Sequence, residues 1–219
     1  MKNSLLLALT FVVLFATSCS KSRLRGSGDS SSETRYPGSF TTVIADGSTP
    51  IEIYPSNEDR VVVIGYSNLI GAYETKVEGS TLRLKFKDRY INVRNNNLQI
   101  NVYTKNMSSV KINGSGNVHI HEGLTSNSLA AEVNGSADIK IDKNNLNNVR
   151  CEVNGSGNIS AQQCVAQNLS ARISGSGNIS MTVEKTLSVH ISGSGNVDYW
   201  GNPQITEVNI SGSGKINKH

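Results

Sequence analysis

Apolar and polar residues alternate along the second half of the chain, and one short motif interrupts the alternation at regular intervals. Two residues before each copy of the motif stands an isoleucine or a valine: Ile112, Val133, Val153, Ile173, Ile191 and Ile210. Since successive strand side chains point to opposite faces, this column is expected to face inward. No stretch after the first twenty residues has the 3.6-residue apolar period of a helix. The pattern predicts a strand on each side of every motif.

The interrupting motif is Gly-Ser-Gly-Asn or a close variant of it. Its copies begin at Gly114, Gly135, Gly155, Gly175, Gly193 and Gly212, in steps of 21, 20, 20, 18 and 19 residues. A fixed period near twenty is typical of a solenoid, in which each repeat is one coil that buries its apolar face against its neighbours. The sequence therefore predicts an all-β fold, a parallel β-helix with coils of about twenty residues.

The motif has the chemistry of a tight corner. Glycine and asparagine adopt the positive φ angles that a sharp turn requires and that β-branched residues resist. Three residues after the first glycine stand Asn117, Asp138, Asn158, Asn178, Asn196 and Lys215. Stacked about 4.8 Å apart, these side chains could form a hydrogen-bonded ladder or present polar groups to a ligand. We favour the architectural interpretation, because turn glycines and asparagines usually serve backbone geometry.

The first half of the mature chain keeps the strand pattern but loses the motif. Alternating segments such as Ile51–Ile53, Val61–Val63 and Leu82–Phe86 are separated by turn-rich stretches. We expect irregular coils over residues 36–106, continuous with regular repeats over 107–219, in a single domain spanning 36–219. The irregular coils would cap one end of the solenoid. The C-terminal coil would then be exposed, which makes it a candidate surface for homo-oligomerisation.

The N-terminus has the features of an export signal. Lys2 is followed by a run of 11 largely apolar residues, Leu5–Phe15, which is too short to span a bilayer. Small residues then precede Cys19, as in a bacterial lipobox, although Ala16 stands where leucine is usual. We predict a lipoprotein signal peptide over residues 1–19 with lipidation of Cys19, ordinary secretory cleavage being the alternative. Residues 20–35 are polar and rich in glycine and serine, which predicts a flexible tether.

The repeated Val/Ile-x-Gly-Ser-Gly-Asn-Ile/Val motif, with the preceding segments Ser39–Val43 and Pro50–Ile53, resembles the head GIN domain family of autotransporter adhesins. The resemblance covers residues 36–217. It implies a right-handed β-helix, similar in shape to the pectin-lyase-like folds but without their catalytic residues. It also implies an outer-membrane lipoprotein of the Bacteroidetes cell envelope, facing either the periplasm or the cell surface. The implied function is adhesion or binding of a glycan or an envelope protein, with a structural, oligomeric scaffold as the alternative.

Two sets of residues are candidates for a site of chemistry. His119 and His121 lie two apart on one predicted strand and should both face outward, beside Glu122. Zinc requires three or four ligands, and no second cluster is evident, so no metal site is predicted. Asp138, Asp142 and Asp198 are candidate carboxylates for polysaccharide cleavage. Asp138 occupies the corner column and Asp142 is followed by Lys143, so no catalytic residue, no enzyme activity and no cofactor is predicted.

The charge and cysteine content exclude some partners. The formal charge is +4, but basic residues are scattered and only 5% of the residues are aromatic, so no nucleic-acid partner is expected. Besides Cys19, the chain has Cys151 in an inward column and Cys164 thirteen residues later. An exported protein permits a disulfide, but this spacing does not establish one. The expected partners are the membrane, through the lipid on Cys19, and a glycan or envelope protein.

Overall fold

The computed structural model describes residues 22–219. The predicted signal peptide and its Cys19 lie outside this range. The first half contains strands β1 Ser22–Arg25, β2 Ser30–Arg35, β3 Thr42–Gly47, β4 Ile51–Pro55 and β5 Arg60–Tyr66, the short helix α1 Ser67–Ile70, and strands β6 Tyr73–Glu78, β7 Thr81–Phe86, β8 Tyr90–Arg94 and β9 Gln99–Thr104. The second half contains β10 Ser109–Gly114, β11 Asn117–Ile120, β12 Ser128–Gly135, β13 Asp138–Ile141, β14 Asn145–Gly155, β15 Asn158–Gly175, β16 Ile179–Gly193, β17 Asn196–Trp200, β18 Gln204–Gly212 and β19 Lys215–Lys218.

The second half is a parallel β-solenoid, as the period predicts. Segments that lead into the corners pair in parallel and in register, so that the corner glycines align from Gly114 to Gly212. Segments that leave the corners pair in the same way from Asn117 to Lys218. We call these two surfaces the pre-corner sheet and the post-corner sheet. The predicted fold class is confirmed.

The predicted inward columns form the core. Ile112, Val133, Val153, Ile173 and Ile191 are at most 1% exposed, and the column four residues before the motif is buried equally well in the same coils. The last coil differs, because Val208 and Ile210 are 49% and 38% exposed. One apolar core cluster extends from Phe40 to Tyr199. Cys151 and Cys164 are buried in it as free thiols, and burial raises the pKa of both, that of Cys164 to about 11.

The corners require glycine for two reasons. The first glycine of each motif has a φ between +123° and +139°, as at Gly155 with +139°. A Cβ at Gly155 would also lie 2.2 Å from the carbonyl oxygen of Gly135 in the preceding coil. That oxygen accepts hydrogen bonds from the backbone N–H groups of Ser156 and Gly157, at 2.9 and 3.2 Å. The glycines therefore let successive corners stack as closely as their backbones allow.

The first half is arranged differently from the prediction of sequential irregular coils. Strands β3 and β4 form a regular coil in which Gly47 is in register with Gly114. On its other side this coil pairs with β7 and β9, so it lies between segments that come later in the chain. Strand β6 pairs antiparallel with β7, and β5 pairs antiparallel with both β9 and β2. These antiparallel strands cap one end of the solenoid.

The prediction of a flexible tether over residues 20–35 is wrong for residues 22–35. Strand β1 pairs with β8, and β2 pairs with β5 along its whole length. The Arg35 guanidinium donates to the carbonyl oxygens of Ile70 and Tyr73, each at 2.8 Å, and ion-pairs with Glu33 at 2.9 Å. The polar composition of this segment did not indicate that it forms strands, because backbone pairing at a sheet edge does not require apolar side chains.

Candidate functional site

Outward side chains of the post-corner sheet form rows along the solenoid axis, because strands in parallel register place equivalent residues about 4.8 Å apart. One row consists of Asn101, Glu52, His119, Lys140, Ser160, Ser180, Asp198 and Asn217. The capped end of this row is charged and aromatic. Its middle is small and polar. Each end of the row contains a cluster of groups that could bind a ligand.

At the capped end, two imidazoles lie between two carboxylates. We call Glu52, His119, His121 and Asp142 the histidine cluster. His119 contacts Glu52 Oε2 through Nδ1 at 3.1 Å and Asp142 Oδ2 through Nε2 at 2.8 Å. His121 contacts the same two oxygens, through Nε2 at 2.7 Å and Nδ1 at 3.5 Å. All four side chains are about a quarter exposed.

The charges around Asp142 favour its ionised form. Burial alone would raise the pKa of Asp142, but hydrogen bonds and charges from His119 and Lys140 outweigh it and lower the pKa below its ordinary value. Lys140 Nζ lies 3.0 Å from Asp142 Oδ1 and 3.3 Å from His119 Nε2. The cluster therefore contains an ionised carboxylate with one nearby ammonium group.

A ladder of rings supports the cluster. The Tyr54 ring stacks on His121 with centroids 4.2 Å apart and on Tyr103 with centroids 5.1 Å apart. The Arg60 guanidinium lies over the Tyr103 ring, 3.9 Å from its centre. Because the rings cover one another, the ladder fixes the orientation of His121 and leaves no broad aromatic face for a ligand.

The sequence predicted that His119 and His121 face outward, and the structure confirms it. The sequence did not predict the two carboxylates that contact these histidines. The argument against a metal site, which was that no further ligands lie nearby, therefore loses its support. Asp142 follows His121 by one 21-residue repeat, so the period alone could have placed the two side by side. Glu52 lies in a coil without the full motif, and no local signal connects it to His119, 67 residues later.

At the other end of the row lies a pocket of about 440 Å³, which we call the Trp200 pocket. Its lining comprises Asn158, Ile159, Ser160, Gln162, Asn178, Ser180, Asp198, Trp200 and His219. Trp200 is the chain's one tryptophan. His219, one coil further on, stacks against it with ring centroids 4.6 Å apart. The opposite face of the indole is directed towards the preceding coils, where Thr182 is its register partner.

Polar groups surround this pocket in fixed positions. Asp198 Oδ1 accepts hydrogen bonds from Asn217 at 3.0 Å and contacts His219 Nε2 at 3.1 Å. The amide of Asn178 donates to Asn158 Oδ1 at 3.0 Å. An aromatic wall with an adjacent carboxylate, hydroxyls and amides is a composition suited to small polar ligands.

The corner asparagines form the expected ladder. The Oδ1 atom of Asn158 accepts from both the backbone N–H and the side-chain amide of Asn178, and Asn178 receives the same pair of bonds from Asn196. Asp138 Oδ1 accepts the same two hydrogen bonds from Asn158. Asn117 is the register partner of Asp138 in the preceding coil. A second ladder, which the repeat did not predict, stands just before the corner glycines and joins Asp46, Asn113, Asn134 and Asn154.

The pre-corner sheet carries a groove of about 420 Å³. Small hydroxyl and amide side chains line it, including Ser128, Asn148, Asn168 and Thr186, over a floor that includes Leu129, Val149 and Leu169. The polar side chains hydrogen-bond to one another along the axis, from Thr186 to Asn168 at 2.6 Å and from Asn168 to Asn148 at 3.1 Å. Arg150 is the charged residue of the lining, which contains no aromatic side chain, in contrast to the other two sites.

Solved structures with a similar fold include proteins from Bacteroides and Parabacteroides species. A putative adhesin from Bacteroides fragilis NCTC 9343 is 21% identical, with a TM-score of 0.72 over 90% of this chain and 100% of its own. A structure from Parabacteroides distasonis ATCC 8503, described as a putative lipid binding protein, is 25% identical, with a TM-score of 0.59 over 90% and 100%. A putative adhesin from Parabacteroides merdae ATCC 43184 is 17% identical, with a TM-score of 0.57 over 90% and 99%.

Among curated proteins, no sequence matches this chain. Within residues 22–219, no helix has the length and apolar character needed to cross a membrane. A family model matches residues 39–203, which is most of the chain. On this match, which agrees with the solenoid and its repeated corners, the chain belongs to the family described as putative auto-transporter adhesin, head GIN domain.

Proposed function

We propose that this protein is a non-catalytic binding module of the bacterial cell envelope and that it binds glycan in the Trp200 pocket. The family description and the adhesins among the similar structures support a role in adhesion or binding. The solenoid supports it as well, because its stacked coils give long lateral surfaces with side chains at regular spacing.

The observation that carries the glycan assignment is the placement of Trp200. The C–H face of a sugar ring is apolar and packs against an indole, whereas its hydroxyl groups require hydrogen-bonding partners at the rim. The Trp200 pocket offers both, with Asp198, Asn178 and Ser180 beside the aromatic wall. The tyrosine ladder offers less, because its ring faces cover one another.

A glycan array tests this assignment. The labelled protein is expected to bind a subset of glycans, and Trp200→Ala is expected to weaken that binding about 30-fold, since truncating an aromatic anchor costs about 2 kcal/mol. Tyr36→Ala is the matched control, because Tyr36 is 67% exposed and lies outside the pocket. Thermal unfolding of each variant checks that the fold is intact. Equal binding by Trp200→Ala and the native protein would disprove the assignment.

The three aspartates considered for polysaccharide cleavage do not form a catalytic pair with one another. Asp138 is engaged by Asn158 in the corner ladder, and Asp142 belongs to the histidine cluster. Asp142 and Asp198 lie three coils apart, which is about 14 Å at a coil spacing of about 4.8 Å. Glycoside hydrolysis requires two carboxyl groups within about 5–9.5 Å, so these two do not form such a pair.

We further propose that Cys19 carries a lipid that anchors the protein in the outer membrane. The supporting features are the short apolar segment Leu5–Phe15 and the small residues before Cys19. In fractionated cells, Cys19→Ala is expected to move the protein from the membrane to the soluble fraction and to abolish fatty-acid labelling. Ser20→Ala is the control and should behave as the native protein. Retention of Cys19→Ala in the membrane fraction would refute the lipid anchor.

A second candidate function is self-association, so that the protein acts as a structural scaffold. The observation in its favour is the last coil, where the apolar side chains of Ile205, Val208 and Ile210 are 46%, 49% and 38% exposed. A second copy of this chain could cover them end to end.

A further inference from the structure

The histidine cluster brings together four potential metal ligands from three adjacent coils. Glu52 comes from β4, His119 lies in β11 with His121 directly after it, and Asp142 follows β13. One ligand atom from each of Glu52, His119 and His121 lies within 4.8 Å of the others. We propose that this cluster is a binding site for a divalent transition-metal cation, for which Zn²⁺ is the natural probe.

The distances suit such an ion. Zinc is bound by imidazole nitrogen and carboxylate oxygen at about 2.0–2.2 Å, so the ligand atoms of a tetrahedral site lie about 3.4 Å apart. Glu52 Oε2 lies 3.1 Å from His119 Nδ1 and 2.7 Å from His121 Nε2, so one nitrogen of each ring and one carboxylate oxygen are already close to this spacing. Asp142 Oδ2 contacts the other nitrogen of each ring, so it would have to move to become a fourth ligand. Small outward movements of the two carboxylates, which reach the surface, would therefore open a site of the right size.

The surroundings hold the ligands in place. Tyr54 stacks on His121 with the two ring planes 7° apart, and the two histidine rings lie 4.0 Å apart. The strands beneath them are paired in register with both neighbouring coils. Sites built on rigid elements with packed supporting side chains are held more precisely than sites on loops.

The donor set indicates the class of ion. Two imidazoles and two carboxylates suit Zn²⁺, Co²⁺, Ni²⁺ or Cu²⁺, whereas Ca²⁺ and Mg²⁺ prefer oxygen ligands alone. Lys140 opposes any cation, because its ammonium group lies 3.0 Å from Asp142 Oδ1. Its side chain is 62% exposed and could swing into solvent when the ion binds.

The metal site is independent of the proposed glycan binding. Asp142 and Trp200 belong to coils three steps apart on the post-corner sheet, about 14 Å by coil spacing. Trp200→Ala should therefore leave metal binding unchanged, and the loss of a histidine ligand should leave the Trp200 pocket intact. Failure of one proposal would not count against the other.

Titration calorimetry with Zn²⁺ on chelator-treated protein tests the site. We expect one Zn²⁺ per chain, with affinity reduced by more than 100-fold in His119→Gln and in His121→Gln, since losing even an outer-shell partner costs about 10–100-fold. His190→Gln is the matched control, because His190 lies between Arg172 and Asn209 in another sheet surface. Lys140→Met is expected to tighten binding by removing the opposing charge.

Two further readouts make the result decisive. Co²⁺ in place of Zn²⁺ should give the visible absorption of a four-coordinate site, and Glu52→Gln should change that spectrum while leaving the metal-free fold intact. Thermal unfolding with and without Zn²⁺ should show a stabilisation that His121→Gln abolishes. Absence of Zn²⁺ binding, an equal loss in His190→Gln, or full binding by both cluster histidine variants would overturn the proposal.

Discussion

At the scale of single residues, the corner glycines explain why the repeat is so regular. Gly155 combines a φ of +139° with a position where any Cβ would meet the carbonyl oxygen of Gly135. The second glycine of the motif, Gly157, has an ordinary φ, but its Cβ would also collide with the preceding coil, at Ala137. The two glycines of one motif are therefore needed for different reasons, one for conformation as well as space and the other for space alone.

Replacing Gly155 with valine should destabilise the solenoid. A β-branched residue at this φ, pressed against the preceding coil, is expected to lower the free energy of unfolding by about 3 kcal/mol. Urea denaturation measures the change. Ser156→Ala is the control, because Ser156 is exposed in the same corner and its loss should cost less than about 0.5 kcal/mol. Equal midpoints for the two variants would contradict the role assigned to Gly155.

The single residues of the candidate metal site were only partly predictable. The alternation placed His119 and His121 on the outer face, and the 21-residue step would have placed Asp142 beside His121. Glu52 could not be found in this way, because its coil has Gly47-Ser48-Thr49-Pro50 at the corner and the next coil along the axis begins after residue 106. To predict a site whose residues are far apart in the sequence, one must know the register in which the strands pair. No local sequence pattern gives that register.

At the scale of elements, the sequence predicts the repeats well and the cap poorly. In the repeats, each strand pairs with its equivalent about twenty residues away, so the period gives both partner and register. In the cap, β3 pairs with β7 and β10, which are separated from it by different numbers of residues. Apolar alternation identifies such strands but does not name their neighbours.

The N-terminal strands show a second limit of composition. Residues Ser30–Arg35 have no apolar side chain, and their polar character predicted a tether. They nevertheless pair in register with β5, whose Val61 and Val63 belong to the core. Main-chain hydrogen bonds and the Arg35 contacts hold this edge strand. A polar edge strand is also what protects a sheet from further pairing, so its composition suits its position.

At the scale of the whole molecule, the two ends of the solenoid are different. One end is covered by antiparallel strands, including the polar β2. At the other end, β18 pairs with β16 and β19 pairs with β17, and no described strand pairs with their far sides. Together with the exposed Ile205, Val208 and Ile210, this leaves an apolar surface bordered by unpaired backbone groups.

A second copy of the chain fits that surface, because two identical open ends can meet around a twofold axis with their edges paired. We expect light scattering after size exclusion to give a dimer at high concentration and a monomer on dilution. Val208→Asp should remain monomeric throughout, since it places a charge where the apolar ends would meet. Ile91→Asp is the control, because Ile91 is 38% exposed at the capped end and should leave the dimer intact. A native protein that stays monomeric at high concentration would exclude the scaffold function, and dimerisation of Val208→Asp would place the contact elsewhere.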